Sequence, residues 1–126
     1  MRAFGELEAE IMRVVWRSPE PVAIQTIVDA LGEQRQLAYT TVMTVTERLR
    51  EKGWLTRVRQ GRSYRYSAVR TADDYTAELM GQALHASTDR AGALVRFAGQ
   101  LSAEEAAALR SALNEPQAGP DPADGG

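Results

Sequence analysis

Hydrophobic residues near the start of the chain recur with the spacing of α-helices. The first stripe, at positions i, i+4, i+7 and i+8, comprises Leu7, Ile11, Val14 and Val15. It predicts a helix over residues 5–17, which Pro19 and Pro21 end because proline lacks a backbone donor and constrains the residue before it. A second stripe comprises Ile24, Ile27, Val28 and Leu31. It predicts a helix over residues 23–31 that stops at Gly32.

A third helix is predicted over residues 39–52, between a polar connection at 33–38 and Gly53. At about 100° per residue, one face of this helix is expected to be buried. The residues of that face are Val42, Val45, Thr46 and Leu49. The other side carries further threonines, a methionine and an arginine. Threonine is a mediocre helix former, so this concentration of threonines indicates that something other than helix propensity selects them.

Aromatic and β-branched side chains alternate with arginines immediately after this helix. The runs 54–59 and 63–67 have the composition of β-strands, and Gly61 lies in the short segment between them. The pattern predicts a β-hairpin with a basic tip.

The chain is predicted to become helical again from residue 71. Three helices are expected, over 71–85, 90–99 and 102–114, the last opened by the capping-box pattern of Ser102 and Glu105. This segment is too small to hold its own core, so its apolar side chains are expected to pack against a second copy of the chain. The alternative is that they fold back on the first domain. The expected dimer contacts are Tyr75, Leu79, Met80, Leu84, Leu94, Phe97, Leu101, Leu109 and Leu113.

Composition excludes several classes of protein. The 126 residues suit one compact domain, or one small domain with an appendage. Cysteine is absent and His85 is the single histidine, so disulfide scaffolds, cysteine nucleophiles and histidine-rich metal sites are excluded. We expect no metal and no cofactor, and we interpret His85 as a partly buried interface residue. Neither a phosphate-binding glycine loop nor a catalytic carboxylate pair is evident, so an enzyme is not expected.

The distribution of apolar residues also bears on location. No apolar run reaches the length of about 20 residues that a membrane-spanning helix needs. The first residues lack the apolar stretch of a signal peptide. A cytoplasmic location without membrane insertion is therefore expected.

Charge is unevenly spread, although the net charge is only −2. Residues 1–70 hold 12 basic and 8 acidic side chains, whereas residues 71–126 hold 3 basic and 9 acidic ones. Within residues 48–70, eight basic side chains accompany a single acidic one, Glu51. Such a concentration is typical of a surface that binds a polyanion, although a solvated charged surface is the alternative interpretation.

Three helices followed by a basic hairpin is the order of a winged helix-turn-helix module. The third helix would enter the major groove of DNA, where threonine hydroxyls bond to base edges and methyl groups pack on thymine. The hairpin would lie along the phosphates or in the minor groove, where arginine is favoured. The expected DNA contacts of the helix are Tyr39, Thr40, Thr41, Met43, Thr44 and Arg48, and those of the hairpin are Arg57, Arg59, Arg62, Ser63 and Arg65.

The predicted fold is therefore mostly α with a small β-hairpin wing. A winged helix-turn-helix domain is expected over residues 1–70, a helical dimerisation region over 71–114, and a disordered tail over 115–126, which is rich in proline and glycine. Trp16 and Trp54 are interpreted as core residues.

Glu47 lies among the expected DNA contacts and has three interpretations. Its carboxylate can accept from a cytosine amino group, repel phosphate and weaken binding, or pair with a neighbouring basic residue such as Arg50. The sequence does not choose between them.

Several segments of the chain resemble the BlaI/MecI penicillinase-repressor family. The resemblance lies in the recognition-helix motif, in the first helix, in the second wing strand and in the closing helix. The recognition-helix motif comprises 37–45, Arg48-Leu49 and 52–55. The first helix matches over 7–16, the second wing strand at Arg65-Tyr66 and the closing helix over 101–110. Together they cover roughly residues 4–115, and members from actinobacteria are the most similar.

The resemblance implies a homodimeric transcriptional repressor that binds promoter palindromes built from TACA and TGTA elements, often upstream of β-lactamase genes. It also implies that a sensor-linked protease relieves repression by cutting the dimerisation region before a phenylalanine, which here is the bond between Arg96 and Phe97. Two alternatives stay open: a winged-helix regulator relieved by a small-molecule effector, and a module that binds an acidic protein instead of DNA.

Overall fold

The computed structural model describes the backbone of residues 3–35 and 37–115, and the side chains of 3–32 and 37–115. The helices and strands formed by these residues are α1 (Glu6–Arg17), β1 (Val22–Ala23), α2 (Ile24–Arg35), α3 (Tyr39–Glu51), β2 (Leu55–Gln60), β3 (Ser63–Ala68), α4 (Ala72–His85), α5 (Arg90–Ala98) and α6 (Ala103–Asn114). The predicted fold class, mostly α with a small β-hairpin wing, is confirmed. The predicted tail lies, after Glu115, outside the described residues.

The chain divides into two compact units, Met1–Gln82 and Ala83–Gly126. Unit 1 holds α1 to β3 and most of α4, and unit 2 holds α5 and α6. The functional boundary near residue 70 stays a prediction. Over the residues that the structure describes, no helix is long and apolar enough to cross a membrane.

The apolar stripes that predicted the helices of unit 1 form its core. The buried apolar side chains are Ile11, Met12, Val14, Val15, Val22, Ile24, Ile27, Leu31, Val42, Leu49, Trp54, Leu55 and Tyr66. The predicted inner face of α3 is buried apart from Val45, which is half-buried. Thr46 is buried too, and its Oγ1 donates to the carbonyl oxygen of Val42 at 2.7 Å. That local bond satisfies the hydroxyl, so the core accepts a polar side chain.

The sheet of unit 1 has three antiparallel strands in the order β1-β3-β2. The hairpin of β2 and β3 was predicted, whereas β1 was not. β1 is two residues long and pairs Val22 with Tyr66 and Ala23 with Arg65. Two residues are too few to show the alternation that identifies a strand in a sequence. The edge opposite β1 is formed by β2.

The predicted end of the second helix was wrong, because α2 continues past Gly32 to Arg35. Glycine ends a helix where its φ is positive, and among the described residues this holds only for Gly53 and Gly61. Gly32 is instead an interior helical residue, which costs about 1 kcal/mol relative to alanine.

Four aromatic side chains, Phe4, Trp16, Trp54 and Tyr75, form what we call the aromatic cluster. Phe4 stacks on Tyr75 with ring centroids 4.1 Å apart, and Trp54 meets both rings edge-on. The Phe4 backbone N–H donates to the Tyr75 hydroxyl at 2.7 Å. Tyr75, which was expected in the dimer contact, thus has its partners within unit 1. Trp54 is buried as expected, and Trp16 is half-buried.

The helices of unit 2 begin at capping residues, of which the sequence analysis predicted those of α6. The Asp89 carboxylate accepts from the Gly92 backbone N–H at 3.0 Å, and Ser102 and Glu105 form the predicted capping box. Neither α5 nor α6 has a buried residue. Their apolar side chains therefore lie largely in solvent within the single chain.

Candidate nucleic-acid interface

One side of α3 is exposed. Val42, Thr46 and Leu49 turn into the core, so the opposite side of the helix faces solvent. All six residues predicted to contact DNA from this helix are exposed, namely Tyr39, Thr40, Thr41, Met43, Thr44 and Arg48. We call this set of residues the α3 face. It combines hydroxyls, a phenol ring, a thioether and one positive charge on an accessible surface.

The hydroxyl of Thr44 already has one partner. Its Oγ1 donates to the carbonyl oxygen of Thr40, one turn earlier, at 2.9 Å. The oxygen keeps its lone pairs, so it remains an acceptor for an amino group such as those of adenine and cytosine. The Thr44 side chain is therefore held by its own helix and can accept but not donate without rotating.

The N-terminal turn of α3 has no side-chain cap. Ala38 occupies the cap position without a side-chain hydrogen bond, and the first turn contains no acidic residue. The first backbone bonds run from Thr41 and Val42 to the Ala38 carbonyl oxygen. The amides of Tyr39 and Thr40 thus point out of the helix at its positive end, where an anion is favoured.

The pleat of the wing distributes its arginines over two faces. Arg57 pairs with Tyr66 and Arg59 with Tyr64 across β2 and β3, so these four side chains share one face. Arg65 belongs to the other face and is half-buried. Its Nε is the one side-chain nitrogen or oxygen, among those described, that is buried without a hydrogen-bond partner. The predicted wing contacts therefore do not form one continuous surface.

The tip of the wing is exposed. Gly61 has a φ of +66°, a left-handed conformation that favours glycine, and it turns the chain between β2 and β3. Arg62 and Ser63 follow it and are exposed. The Arg59 Nε donates to the Gly61 carbonyl oxygen at 3.2 Å, which keeps that guanidinium near the turn.

Glu47 connects α3 with both strands of the wing. Its Oε1 accepts from the Arg50 Nε at 2.9 Å, and its Oε2 accepts from the Arg57 Nη1 at 2.8 Å. The same Oε2 also accepts from the Tyr66 hydroxyl. The Arg57 guanidinium in turn lies 4.0 Å from the centroid of the Tyr64 ring. We call Glu47, Arg50, Arg57, Tyr64 and Tyr66 the wing anchor.

Two pKa shifts follow from the wing anchor. Burial raises the pKa of Glu47, but the hydrogen bonds from Tyr66, Arg50 and Arg57 outweigh burial and hold that pKa below its ordinary value. Burial and the bond to Glu47 raise the pKa of Tyr66. At neutral pH the carboxylate is therefore ionised and the phenol keeps the proton that it donates.

Of the three interpretations of Glu47, the structure shows the ion pair with Arg50. Its bonds to Arg57 and Tyr66 were missed by the sequence analysis. These partners lie 10 and 19 residues away along the chain, and no periodicity relates a helix position to a strand position at such distances.

The described residues form neither a metal site nor an enclosed ligand pocket. Within the described residues, no group of three or more His, Asp or Glu side chains is arranged to hold a metal. A cleft of about 490 Å³ lies between the end of α1 and the start of α4, bordered by Trp16, Pro19, Val69, Arg70 and Asp73 among others. It is open to solvent and lined by similar numbers of polar and apolar residues, unlike the enclosed apolar pockets typical of small-molecule sites.

Comparisons with known proteins identify the family of this chain. A family model described as penicillinase repressor matches residues 4–115. The chain is similar to the transcriptional regulator BlaI of two Mycobacterium tuberculosis strains, with 42% identity over 118 residues in each case, covering 91% of this chain and 86% of the relative. It is also similar to the solution structure of the DNA-binding domain of the repressor BlaI, with 25% identity and a TM-score of 0.51, over 57% of this chain and 87% of that one.

Proposed function

The chain belongs to the penicillinase repressor family, and we propose that it represses transcription as a homodimer bound to palindromic promoter DNA. The resemblance predicted from its recognition-helix motif is confirmed. It is a BlaI-like transcriptional repressor with a winged-helix DNA-binding domain, and it is not an enzyme. The homodimer, the TACA and TGTA palindrome, and the mode of induction are proposals.

The α3 face is the observation that carries the proposed DNA contact. It presents small hydroxyls and methyl groups at the spacing of a helix that fits the major groove. The uncapped amides at the start of α3 and the exposed Arg62 on the wing suit phosphates on either side. Base contacts from the α3 face would therefore specify the sequence, and the wing would position the domain.

The apolar side chains of unit 2 support a homodimer. Leu94 is 52% exposed and Val95 72% exposed on α5, and Leu109 and Leu113 are exposed on α6. Two short helices with no buried residue would be stabilised if these apolar side chains were removed from water. The same surface on a second copy of the chain can cover them. A two-fold dimer would place two α3 faces on half-sites about one turn of DNA apart. The other residues expected in the dimer contact differ in exposure. Met80 of α4 is exposed, whereas Leu79 and Leu84 of α4 are half-buried, as is Leu101 in the segment that joins α5 to α6.

The deciding experiment is duplex binding by fluorescence anisotropy at two salt concentrations. It compares a TACA/TGTA palindrome with a scrambled duplex of the same composition. The proposal expects tight, salt-sensitive binding that prefers the palindrome, with two chains per duplex. Salt-sensitive binding without preference would reject this operator, and no binding to either duplex would favour the acidic-protein partner.

Thr44→Ala is expected to weaken binding to the palindrome by about 1–3 kcal/mol and to leave binding to the scrambled duplex unchanged, because it removes a base contact. Arg62→Gln is the matched comparison, since it removes a phosphate contact. It is expected to weaken binding to both duplexes alike and to reduce the salt slope by about one. The same anisotropy titrations measure both variants. If operator binding were unchanged in both, the assignment of the α3 face and wing would be wrong.

We further propose that proteolysis between Arg96 and Phe97 ends repression. This bond lies in the last turn of α5, and Phe97 is 41% exposed. A helix end opens more readily than its middle, which a protease needs because it binds an extended strand. Cleavage would separate α6 from the rest of the chain and divide the proposed dimer surface. Mass spectrometry of the protein from induced cells is expected to show a fragment ending at Arg96, and an intact chain during full induction would exclude this route.

A further inference from the structure

We propose that Glu47 is a positioning residue of the DNA interface, which fixes the wing on α3 and keeps the Arg57 guanidinium off the phosphates. The inference rests on the proposed DNA binding. It assigns to Glu47 a role through other side chains and not a contact with a base. It also changes the expected role of Arg57 from a phosphate contact to a support for the wing.

The first support is the register of the two strands that the carboxylate holds. Arg57 of β2 and Tyr66 of β3 lie directly opposite each other. A single oxygen, the Oε2 of Glu47, accepts from both of them. One side chain on α3 therefore fixes both strands at the same level of the wing. Because Tyr66 is buried in the core, this level cannot shift without moving the phenol ring.

The second support is the pair of contacts that hold the Arg57 guanidinium. Its Nη1 donates to Glu47 at 2.8 Å, and its Cζ lies 4.0 Å from the Tyr64 centroid. Tyr64 pairs with Arg59, which in turn bonds to Gly61 at the turn. The restraint thus runs from α3 through Arg57 to the tip of the wing.

The third support is the charge of Glu47 itself. A carboxylate on a DNA-binding helix would repel phosphate, yet two arginines lie within 2.9 Å of this one and neutralise it. Only 24% of the Glu47 side chain is exposed, so it offers little surface to a base edge. Its position and its partners both fit a support between helix and wing.

The test variant is Glu47→Gln, which keeps the size of the side chain and removes its charge. In the free protein, the wing is expected to loosen, so trypsin should cleave after Arg59 and Arg62 several times faster while cleavage after Arg13 in α1 does not change. With DNA, the released Arg57 should add one phosphate contact. Affinity for the scrambled duplex is then expected to rise about five- to tenfold at about 0.1 M salt, with a salt slope steeper by about 0.9. The preference for the palindrome should fall by a similar factor.

The matched control is Glu51→Gln, an exposed glutamate on the last turn of the same helix. It removes the same charge, so any long-range electrostatic effect is common to both variants. In an Arg57→Gln background, Glu47→Gln should no longer steepen the salt slope, because the cation that it releases is gone.

Three results would overturn the proposal. The first is wing cleavage that Glu47→Gln leaves unchanged. The second is an equal salt slope in the Glu47→Gln and Glu51→Gln variants. The third is loss of preference at one base pair alone, which would identify Glu47 as a base reader. Because wing cleavage is measured without DNA, it separates this inference from the proposed function, which fails if the unaltered protein does not distinguish the two duplexes.

Discussion

Phe97→Asp is expected to give a monomer and to weaken binding to the palindrome by about 100-fold or more. Phe97 is the aromatic side chain of the exposed apolar face of α5, on the same side as Leu94 one turn earlier. A carboxylate at this position would have to lose its hydration when two copies associate, which strongly disfavours the dimer. Each monomer would then bind a half-site alone and lose the gain of about 10²–10⁴ that two linked sites provide.

Light scattering coupled to size-exclusion chromatography measures the mass, and anisotropy measures the affinity. The matched control is Arg96→Gln, which changes the charge by the same amount at the neighbouring position of α5, away from the Leu94 side. This control is expected to remain dimeric. A dimer that persists in Phe97→Asp with full affinity would place the self-association surface elsewhere.

Trp54→Ala is expected to lower the free energy of unfolding by about 3–5 kcal/mol, the range for removing a large aromatic side chain from a core. Trp54 is 5% exposed and lies edge-on to Phe4 and Tyr75, at centroid distances of 5.1 and 5.5 Å. The Arg70 guanidinium lies 4.5 Å above its ring, and Arg70 also pairs with Glu78. The free energy of unfolding of a small domain is about 5–15 kcal/mol, so this variant would be close to unfolded at ordinary temperatures.

Urea denaturation followed by far-ultraviolet circular dichroism measures this loss, since the variant lacks one of two tryptophans for fluorescence. Trp54→Phe is the comparison, because it retains an aromatic edge against the same two rings and should lose less than half as much. A loss below about 1 kcal/mol for the alanine variant would mean that the neighbouring side chains collapse into the space, which close-packed interiors rarely permit.

Elements with a periodic pattern could be predicted from the sequence. The stripe of α1 and the inner face of α3 identified buried residues. In a helix with one buried side, the helical spacing determines which positions are apolar and buried. The hairpin followed from its alternation and from Gly61. The capping box at Ser102 followed from a local bond between residues three apart.

Contacts between distant segments could not be predicted in this way. The two residues of β1 carry no periodic signal. The identity of Gly32 as a glycine does not tell whether its φ is positive, which would end the helix, or negative, which lets the helix continue. Tyr75 had the spacing of an α4 stripe, but its ring stacks on Phe4, 71 residues earlier. The partners of Glu47 depend on how the wing folds against α3, and a charge pattern along the chain contains no information on that angle.

Within the part of the chain that the structure describes, β2 forms one edge of the sheet, and its exposed Arg59 also helps to protect this edge from other copies of the chain. A free strand edge offers unpaired backbone groups to a second strand and is a starting point for aggregation. If two β2 strands paired antiparallel, the Arg59 of each copy would add a positive charge to the same ribbon, and like charges on paired strands destabilise the pairing. The positive charge of the wing therefore disfavours pairing with the wing of another copy and favours binding to a polyanion.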